Sequence, residues 1–358
     1  MEDGLSASML VALAQVSPGR PLRAGVDRIL QAGMGGLIVV GDGPDVLGIC
    51  SGGFLFDAEF SPQRLSELAK MDGAIILAAD ASRIARANVH LVPDPGVATS
   101  ETGTRHRTAE RVARSVDVPV ISVSEDMGVI TVYRHLQKHP IEAIPRLLNR
   151  ANQALQTLER YKSRLDAVSG GLTALEIEDL VTVRDVGTVL QRAEMVRRIA
   201  EEIERYIVEL GADGRLIRLQ LEELMGGVQD ERRLVISDYY SATDRWDVDD
   251  AMAALGGLTY DELLDPTVVA ALLRLPGPVE LDGHLEPRGR RLLAKVPRLP
   301  ADVTERLIQR FGDLHKIMRA SVPDLEEVDG IGARGARSVK DGLSRLAESS
   351  ILDRYSSG

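Results

Sequence analysis

The sequence predicts a multidomain protein: an α/β domain over residues 1–140, an all-α stretch over 141–287 and a smaller helical domain over 288–358. Three observations predict it. Up to about residue 140, short apolar runs of strand length alternate with helical patterns, as in an α/β domain. From Ile141 apolar residues recur every three to four positions, with Arg, Gln and Lys between them, which is the period of amphipathic helices. From Arg288 the charge balance reverses sign.

Taken in order, Leu5 to Val16 is apolar-periodic and is closed by Ser17-Pro18-Gly19, so a helix is expected there. A second helix is expected from Leu22 to Ala32, ending near Gly33. Gly36 to Gly41 reads as a buried strand bounded by glycines. Gly33, Gly35 and Gly36 precede that strand, whereas a phosphate-binding loop follows its strand and opens a helix, so these are read as turn or close-packing residues. Leu47 to Cys50 is expected as a short strand and Ser51 to Phe54 as a turn. Ser61-Pro62 starts a helix through Lys70, with Pro in the first turn. Strands are expected at Ala74–Ala79, Val89–Val92, Val118–Val123 and Val129–Tyr133, with a helix at Ala109–Val116.

Beyond Ile141, Leu148, Ala151, Leu155, Leu158 and Leu165 form one stripe. Val189, Val196, Ile199, Ile203, Ile207 and Leu210 form another, and Leu216, Leu219 and Leu224 follow a break at Gly211–Gly214. These read as the core face of a helical spine. Between Tyr240 and Pro287 two basic residues, Arg245 and Arg274, face ten acidic ones, which argues against nucleic-acid contact there. From Arg288 to Gly358 there are 14 Lys and Arg against 10 Asp and Glu. Helices are expected over Ala301–Phe311 and Leu314–Ala320.

Composition bounds the function. The net charge of −11 excludes a basic nucleic-acid coat protein, and 3% aromatic content makes base-stacking platforms a poor expectation. No run approaches the roughly 18 apolar residues of a membrane span, and the Met1–Gly4 end lacks a charged leader segment. A cytoplasmic protein without a membrane segment is expected. Cys50 is the only cysteine, which excludes an internal disulfide and a zinc cage of cysteines. His135 and His139 are spaced to share a helical face but lack an acidic or Cys partner, so no metal site is expected on them.

Two stretches carry chemistry. Gly103-Thr104-Arg105-His106-Arg107-Thr108-Ala109 lies between a turn-rich loop and the Ala109–Val116 helix. Arg105 and Arg107 are too close in sequence to share a helical face, so a regular solvated helix is not expected here. Two guanidiniums around a His, ahead of a helix N-terminus, suit a polyphosphate: Arg forks onto phosphate oxygens and the free N–H groups add partial positive charge. Taken alone, the triplet reads equally as a charged loop. The second stretch is Met71-Asp72-Gly73-Ala74-Ile75-Ile76-Leu77. Its apolar run holds Asp72 at a strand entrance, where a carboxylate can bind a phosphate-carrying divalent metal or polarise a hydroxyl. Gly73 is expected to let backbone approach a ligand closely.

The pair, about 30 residues apart, resembles the diadenylate cyclase domain, and Thr99 to Arg111 follows that family's extended pattern without departure. In the tail, Gly330-Ile331-Gly332-Ala333-Arg334-Gly335 matches a dinucleotide glycine pattern only weakly, because a short acidic helix precedes it rather than an apolar strand. It better resembles a helix-hairpin-helix DNA-binding motif. There Gly330 and Gly332 present backbone N–H groups to a phosphate, Ile331 anchors the turn, and Arg334, Arg337 and Lys340 face phosphates. A tight helix–helix connection without ligand is the plainer alternative. Such contact reads backbone rather than bases, and is salt-sensitive.

The whole chain is similar to the DNA-integrity-scanning diadenylate cyclases. The resemblance implies an α/β cyclase domain with a central mixed sheet, a helical spine and a C-terminal helix-hairpin-helix domain. It implies condensation of two ATP into the second messenger cyclic di-AMP and two pyrophosphates. Asp72 would bind Mg²⁺ or Mn²⁺ and help activate the ribose 3′-hydroxyl, and Gly73 would admit the nucleotide. Thr104, Arg105, His106, Arg107 and Thr108 would hold the triphosphate, the backbone near Leu91 would read adenine, and Ser124, supported by Glu125, would contact phosphate. It further implies a homo-octamer whose synthesis responds to branched DNA. Two other readings stay open: a DNA-binding nucleotide sensor without turnover, and a plain cyclase whose tail is only a scaffold.

Overall fold

The chain opens with two helices, α1 (Ala7–Gln15) and α2 (Pro21–Gln31), in the computed structural model, which describes residues 4–241 and 247–356. Met1 to Asp3, together with Asp244 and Arg245 of the acidic stretch, lie outside those residues. Ser6 caps α1 by accepting from the Met9 N–H at 3.2 Å, and Pro21 starts α2 where no intrahelical N–H is needed. The elements that follow are β1 (Gly36–Val40), α3 (Pro44–Gly48), β2 (Cys50–Ser51), β3 (Phe54–Glu59), α4 (Pro62–Leu68), β4 (Ala74–Leu77) and β5 (Arg83–Leu91). Then come α5 (Thr104–Ser115), β6 (Val120–Val123), β7 (Ile130–Arg134) and β8 (Gln137–Pro140).

The strands form one mixed sheet in the order β2-β5-β4-β1-β6-β7-β8, with β3 also on β5. Only β1 and β4 pair in parallel. Every residue of β1, β4 and β6 is buried, because both faces are covered. Ile38, Val40, Ile75 and Leu77 pack on α1, α2 and α4 through Met9, Leu13, Val26, Ile29 and Leu65. Leu37, Val39, Ala74 and Ile76 pack on α5 through Ala109, Val112 and Ala113. The strand alternation thus sends successive side chains into two cores.

Several expectations need correction here. Leu47 to Cys50 is largely the end of α3, not a strand: Pro44 opens a short helix, and only Cys50 pairs with Leu91. The strand at Val89–Val92 is the end of a longer one, β5, which carries two register shifts against β4 and Asn88 at φ +54°. Strands β3 and β8 have no counterpart in the sequence reading. Phe54, Leu55 and Phe56 of β3 are all exposed, and β8 is a short polar edge strand ending in Pro. His135 and His139 share no helical face. His135 sits in the β7–β8 turn at φ +50° beside Asp117, and His139 in β8 lies 2.9 Å from Glu209.

After β8 the chain is helical: α6 (Ile144–Glu178), α7 (Val183–Leu210), a 3₁₀ turn at Gly211–Gly214, α8 (Arg215–Met225), α9 (Val228–Tyr239), α10 (Val248–Gly257), α11 (Tyr260–Leu264) and α12 (Pro266–Ala271). The tail adds α13 (Arg290–Leu293), α14 (Ala301–Phe311), α15 (Leu314–Arg319), α16 (Val322–Glu326) and α17 (Ala333–Ser356). Contacts group the chain into two units, Met1–Ala154 with Glu202–Gln220, and Leu155–Glu201 with Leu221–Gly358. The α6 and α7 stripes are buried mostly as expected, at Ala151, Leu155, Leu158, Leu165, Val189, Val196, Ile203, Ile207 and Leu210. The α8 stripe is shifted: Ile217 and Leu221 are buried, while Leu216 and Leu219 face out.

The second unit is held by a buried charged cluster as well as apolar packing. Arg291, 0% exposed, bonds Glu176 of α6, the Ser169 carbonyl and, at 2.7 Å, Glu231 of α9. Asp238 of α9 accepts from the backbone N–H groups of Arg290 and Arg291 at 2.7 and 2.9 Å, so a carboxylate from another helix caps α13. Among the described residues no helix is long and apolar enough to cross a membrane.

Candidate functional site

The helix expected to start at Ala109 starts at Thr104, so Arg105, His106 and Arg107 occupy its first turn. Successive residues on a helix point about 100° apart. The three side chains therefore diverge. Arg105 reaches Asp72, with Nη2 donating to Oδ1 at 2.9 Å. His106 turns to Tyr133 at 2.8 Å. Arg107 is half-buried and has no side-chain partner among the described residues.

Arg105 and Asp72 border a cleft of about 240 Å³ that Gly73, Leu91, Thr104 and Thr108 also line, with Leu37, Ala74, Val89 and His90. Gly103 precedes the helix without any side-chain cap bond, so the first N–H groups of α5 are unclaimed by a cap at the edge of this cleft. A larger cavity of about 580 Å³ lies near Val11, Phe60 and Ser82, but neither motif contributes to it. The two motifs meet at the smaller one.

Two glycines shape the cleft. The Arg105 guanidinium lies over Gly35, where a Cβ would come within 2.1 Å of Nη1. Close packing is therefore the role of Gly35. Gly73, which lines the cleft, also packs against Asn88 of β5: a Cβ would stand 2.6 Å from that residue's Cα and carbonyl carbon. The two sites predict different failures. Gly35→Ala meets the end of a flexible side chain and should leave the melting temperature nearly unchanged while weakening nucleotide binding. Gly73→Ala meets backbone and should cost about 1–3 kcal/mol of stability. Thermal melting and nucleotide titration on both variants check this, and equal stability losses would contradict it.

The loop before α5 is laced to the helix by residues the motif reading left without a role. Glu110, buried, accepts from Thr99 and from the Ser100 N–H at 2.9 Å, and pairs Arg114 at 2.6 Å. Burial pushes its carboxyl up, but the bonds from Thr99 and Ser100 and the charge of Arg114 outweigh burial and hold it below its ordinary value. Arg111 and Arg114 donate to the carbonyls of Val97 and Ala98 at 3.0 and 2.8 Å. Thr99, Ser100 and Glu110 all lie in the quoted pattern, so the signal was present as polar residues flanking the loop.

Ser124 does not line the cleft. It opens the β6–β7 turn, accepting from the Met127 N–H at 3.2 Å, and Glu125 beside it is exposed. Val123 pairs with Gly36 at the start of β1, and β1 runs parallel to β4, whose first residue follows Gly73, so Ser124 is at the same edge of the sheet. A metal at Asp72 would find one carboxylate: no group of three or more His, Cys, Asp or Glu gathers among the described residues.

In the tail, Gly330 adopts φ +84° and packs against Arg306, and Ile331 is buried in one cluster with Val328 and Leu325. Gly332, Arg334 and Arg337 are exposed. Lys340 is half-buried and spends its ammonium on the Met318 carbonyl at 2.5 Å, so it does not stand free beside the two arginines.

Residues 23–137 match the family described as DisA bacterial checkpoint controller nucleotide-binding, and residues 141–281 the one described as DisA bacterial checkpoint controller linker region. The DNA integrity scanning protein DisA of Streptomyces coelicolor is 55% identical over 99% of this chain and 95% of its own length. This chain belongs to the DisA family. The DisA protein of Frankia alni is 56% identical over 96% of each chain. Among solved structures, DacA from Staphylococcus aureus matches 38% of this chain and 91% of its own at 24% identity and a TM-score of 0.29, too slight to carry an argument. The DisA nucleotide-binding match contains Asp72, Gly73, Leu91 and Thr104 to Thr108, the residues at the cleft or on its helix.

Proposed function

We propose that this chain is a diadenylate cyclase that condenses two ATP into cyclic di-AMP and two pyrophosphates. The observation that supports it is the meeting of Asp72, Arg105 and the uncapped N-terminus of α5 at one cleft in a nucleotide-binding domain. In each of two steps a ribose 3′-hydroxyl attacks the α-phosphorus of the other ATP. The bond to pyrophosphate breaks and the hydroxyl proton is lost. Positioning and charge neutralisation carry such transfers. Arg105, Thr104, Thr108 and the helix N-terminus would hold the triphosphate, and the strand around Leu91 would border the base.

Mg²⁺ or Mn²⁺ fits beside Asp72, because such ions bind through one or two carboxylates and complete their shells with phosphate oxygens and water. Bound there, the ion would neutralise phosphate charge. The sequence carries one set of these motifs, whereas the product needs two ATP head to tail, so the active species is a homo-oligomer built on two-fold axes, the octamer being the state the resemblance implies. The exposed Gly332, Arg334 and Arg337 suit sequence-indifferent contact with DNA phosphates in a helix-hairpin-helix, and branched DNA bound there would modulate synthesis.

The test is incubation with ATP and Mg²⁺ or Mn²⁺, followed by chromatography of the products. Cyclic di-AMP is expected; ATP bound but unconverted would leave a DNA-binding nucleotide sensor, and an active species sedimenting as a monomer would remove the paired-site arrangement. For the tail, replacing Arg334 and Arg337 together by Glu should weaken retention of branched DNA by at least about tenfold at moderate salt. Added DNA should then no longer change the rate. Unaltered retention would place the DNA contact elsewhere.

A further inference from the structure

The first turn of α5 carries contacts that the cleft does not use. Nδ1 of His106 lies 2.8 Å from the Tyr133 hydroxyl, which donates to Oε1 of Glu101 at 3.0 Å. Lys138 Nζ donates to the same oxygen at 2.9 Å. The proton positions follow from the chemistry. The bond from Lys138 holds the Glu101 carboxyl below its ordinary value against the effect of burial, so Glu101 is ionised and only accepts. Tyr133 is 1% exposed, and burial with the charge of Glu101 pushes its phenol well above the ordinary value, so it keeps its proton. That one proton goes to Glu101. The phenolic oxygen is left to accept, and Nδ1 must donate. A neutral imidazole has a single N–H. With it on Nδ1, Nε2 is a bare lone pair, and Nε2 is buried without a hydrogen-bond partner among the described residues.

We propose that Lys138, Glu101 and Tyr133 are positioning residues that hold His106 as its Nδ1–H tautomer and so present Nε2 as an acceptor in the first turn of the nucleotide-binding helix. The proposal rests on reading the cleft as the nucleotide site. A free histidine side chain prefers its proton on Nε2, so the chain of three residues reverses the default. It also ties the loop at Glu101 to the β7–β8 hairpin through Tyr133 and Lys138, which fixes where α5 begins.

The experiment uses the full chain labelled with ¹⁵N-histidine, whose ring nitrogen shifts report the tautomer. His106→Gln assigns the His106 signals by their disappearance. The unmodified protein should show the Nδ1–H form. Tyr133→Phe removes the acceptor and should release the ring to the Nε2–H form, lowering kcat by about tenfold or more while KM for ATP moves little. Glu101→Gln is the second variant, needed if Tyr133→Phe does not fold. Its amide can donate to the phenolic oxygen, which lets Tyr133 donate to Nδ1 and reverse the chain. A role in packing alone would change the melting temperature and leave the tautomer as it was. An Nε2–H ring in the unmodified protein overturns the proposal, as does a switched tautomer with kcat intact. If the unmodified protein makes no cyclic di-AMP, the cyclase reading fails, and the positioning proposal then stands or falls on the nitrogen shifts.

Discussion

Replacing Asp72 by Asn is expected to abolish conversion of ATP and to leave the melting temperature almost where it is. The side chain is 92% exposed and its hydrogen-bonding partner is Arg105 at 2.9 Å. An exposed pair of this kind contributes about 0–1 kcal/mol, so little stability is at stake. The chemistry loses far more. Asn keeps the shape but not the charge that a divalent cation requires, and Asp72 is the carboxylate at the cleft. A loss on the order of 10³-fold in turnover corresponds to about 4 kcal/mol of transition-state stabilisation, within what a bound metal supplies. Product chromatography and a thermal melt on the same preparation read the two effects separately. Near-normal turnover would remove Asp72 from the mechanism. A large fall in melting temperature would mean that Asp72 holds the fold rather than the reaction.

The largest expected effect on stability is at Arg291. Its guanidinium is fully buried and bonds Glu176, Glu231 and Ser169, while its backbone N–H is capped by Asp238. Arg291→Met takes the cation from the buried carboxylate of Glu176 and the partly buried one of Glu231, leaving them only the hydroxyls of Tyr239 and Ser169, which costs about 3–5 kcal/mol. In a unit of this size the midpoint should fall by roughly 10 °C. A loss under about 1 kcal/mol would show that the cluster relaxes or takes in water. The same cluster has a pH dependence. Burial pushes Glu176 up to about 7, despite Arg291 beside it. A carboxyl raised in the folded state binds its proton more tightly folded than unfolded, so between 4.5 and about 7 the folded state holds more protons. Its contribution to stability therefore grows as the pH falls through about 7 and is lost as the pH rises. Glu176→Gln, which is neutral throughout, should flatten that part of the stability curve; an unchanged slope would assign it to other groups.

The sequence by itself determined the class of fold, the order of most elements and the two motifs. Those are local properties. The period of apolar residues gives α1, α2, α6 and α7, and a run such as Ala74–Leu77 can be buried on both faces only inside a covered sheet. Where the local pattern was broken, the sequence was silent. The strand β5 hides its first half behind Arg83, Arg86 and the bulge at Asn88, and β3 exposes three apolar residues that alternation would have divided between two faces. Residues within the motif were legible one by one, but their directions were not. Helical rotation sends Arg105 to the cleft, His106 to Tyr133 and Arg107 elsewhere. The parallel pairing of β1 with β4 sets Ile38 opposite Ile75 and so brings the starts of both strands, with Gly35 and Asp72 just before them, to one edge, and that pairing spans some 35 residues of intervening chain. Likewise Arg291 reads in sequence as one more basic residue of a basic tail. Only the fold surrounds it with Glu176, Glu231 and Asp238, because charges separated along the chain meet where helices pack, and a buried charge persists only where its partners are brought to it.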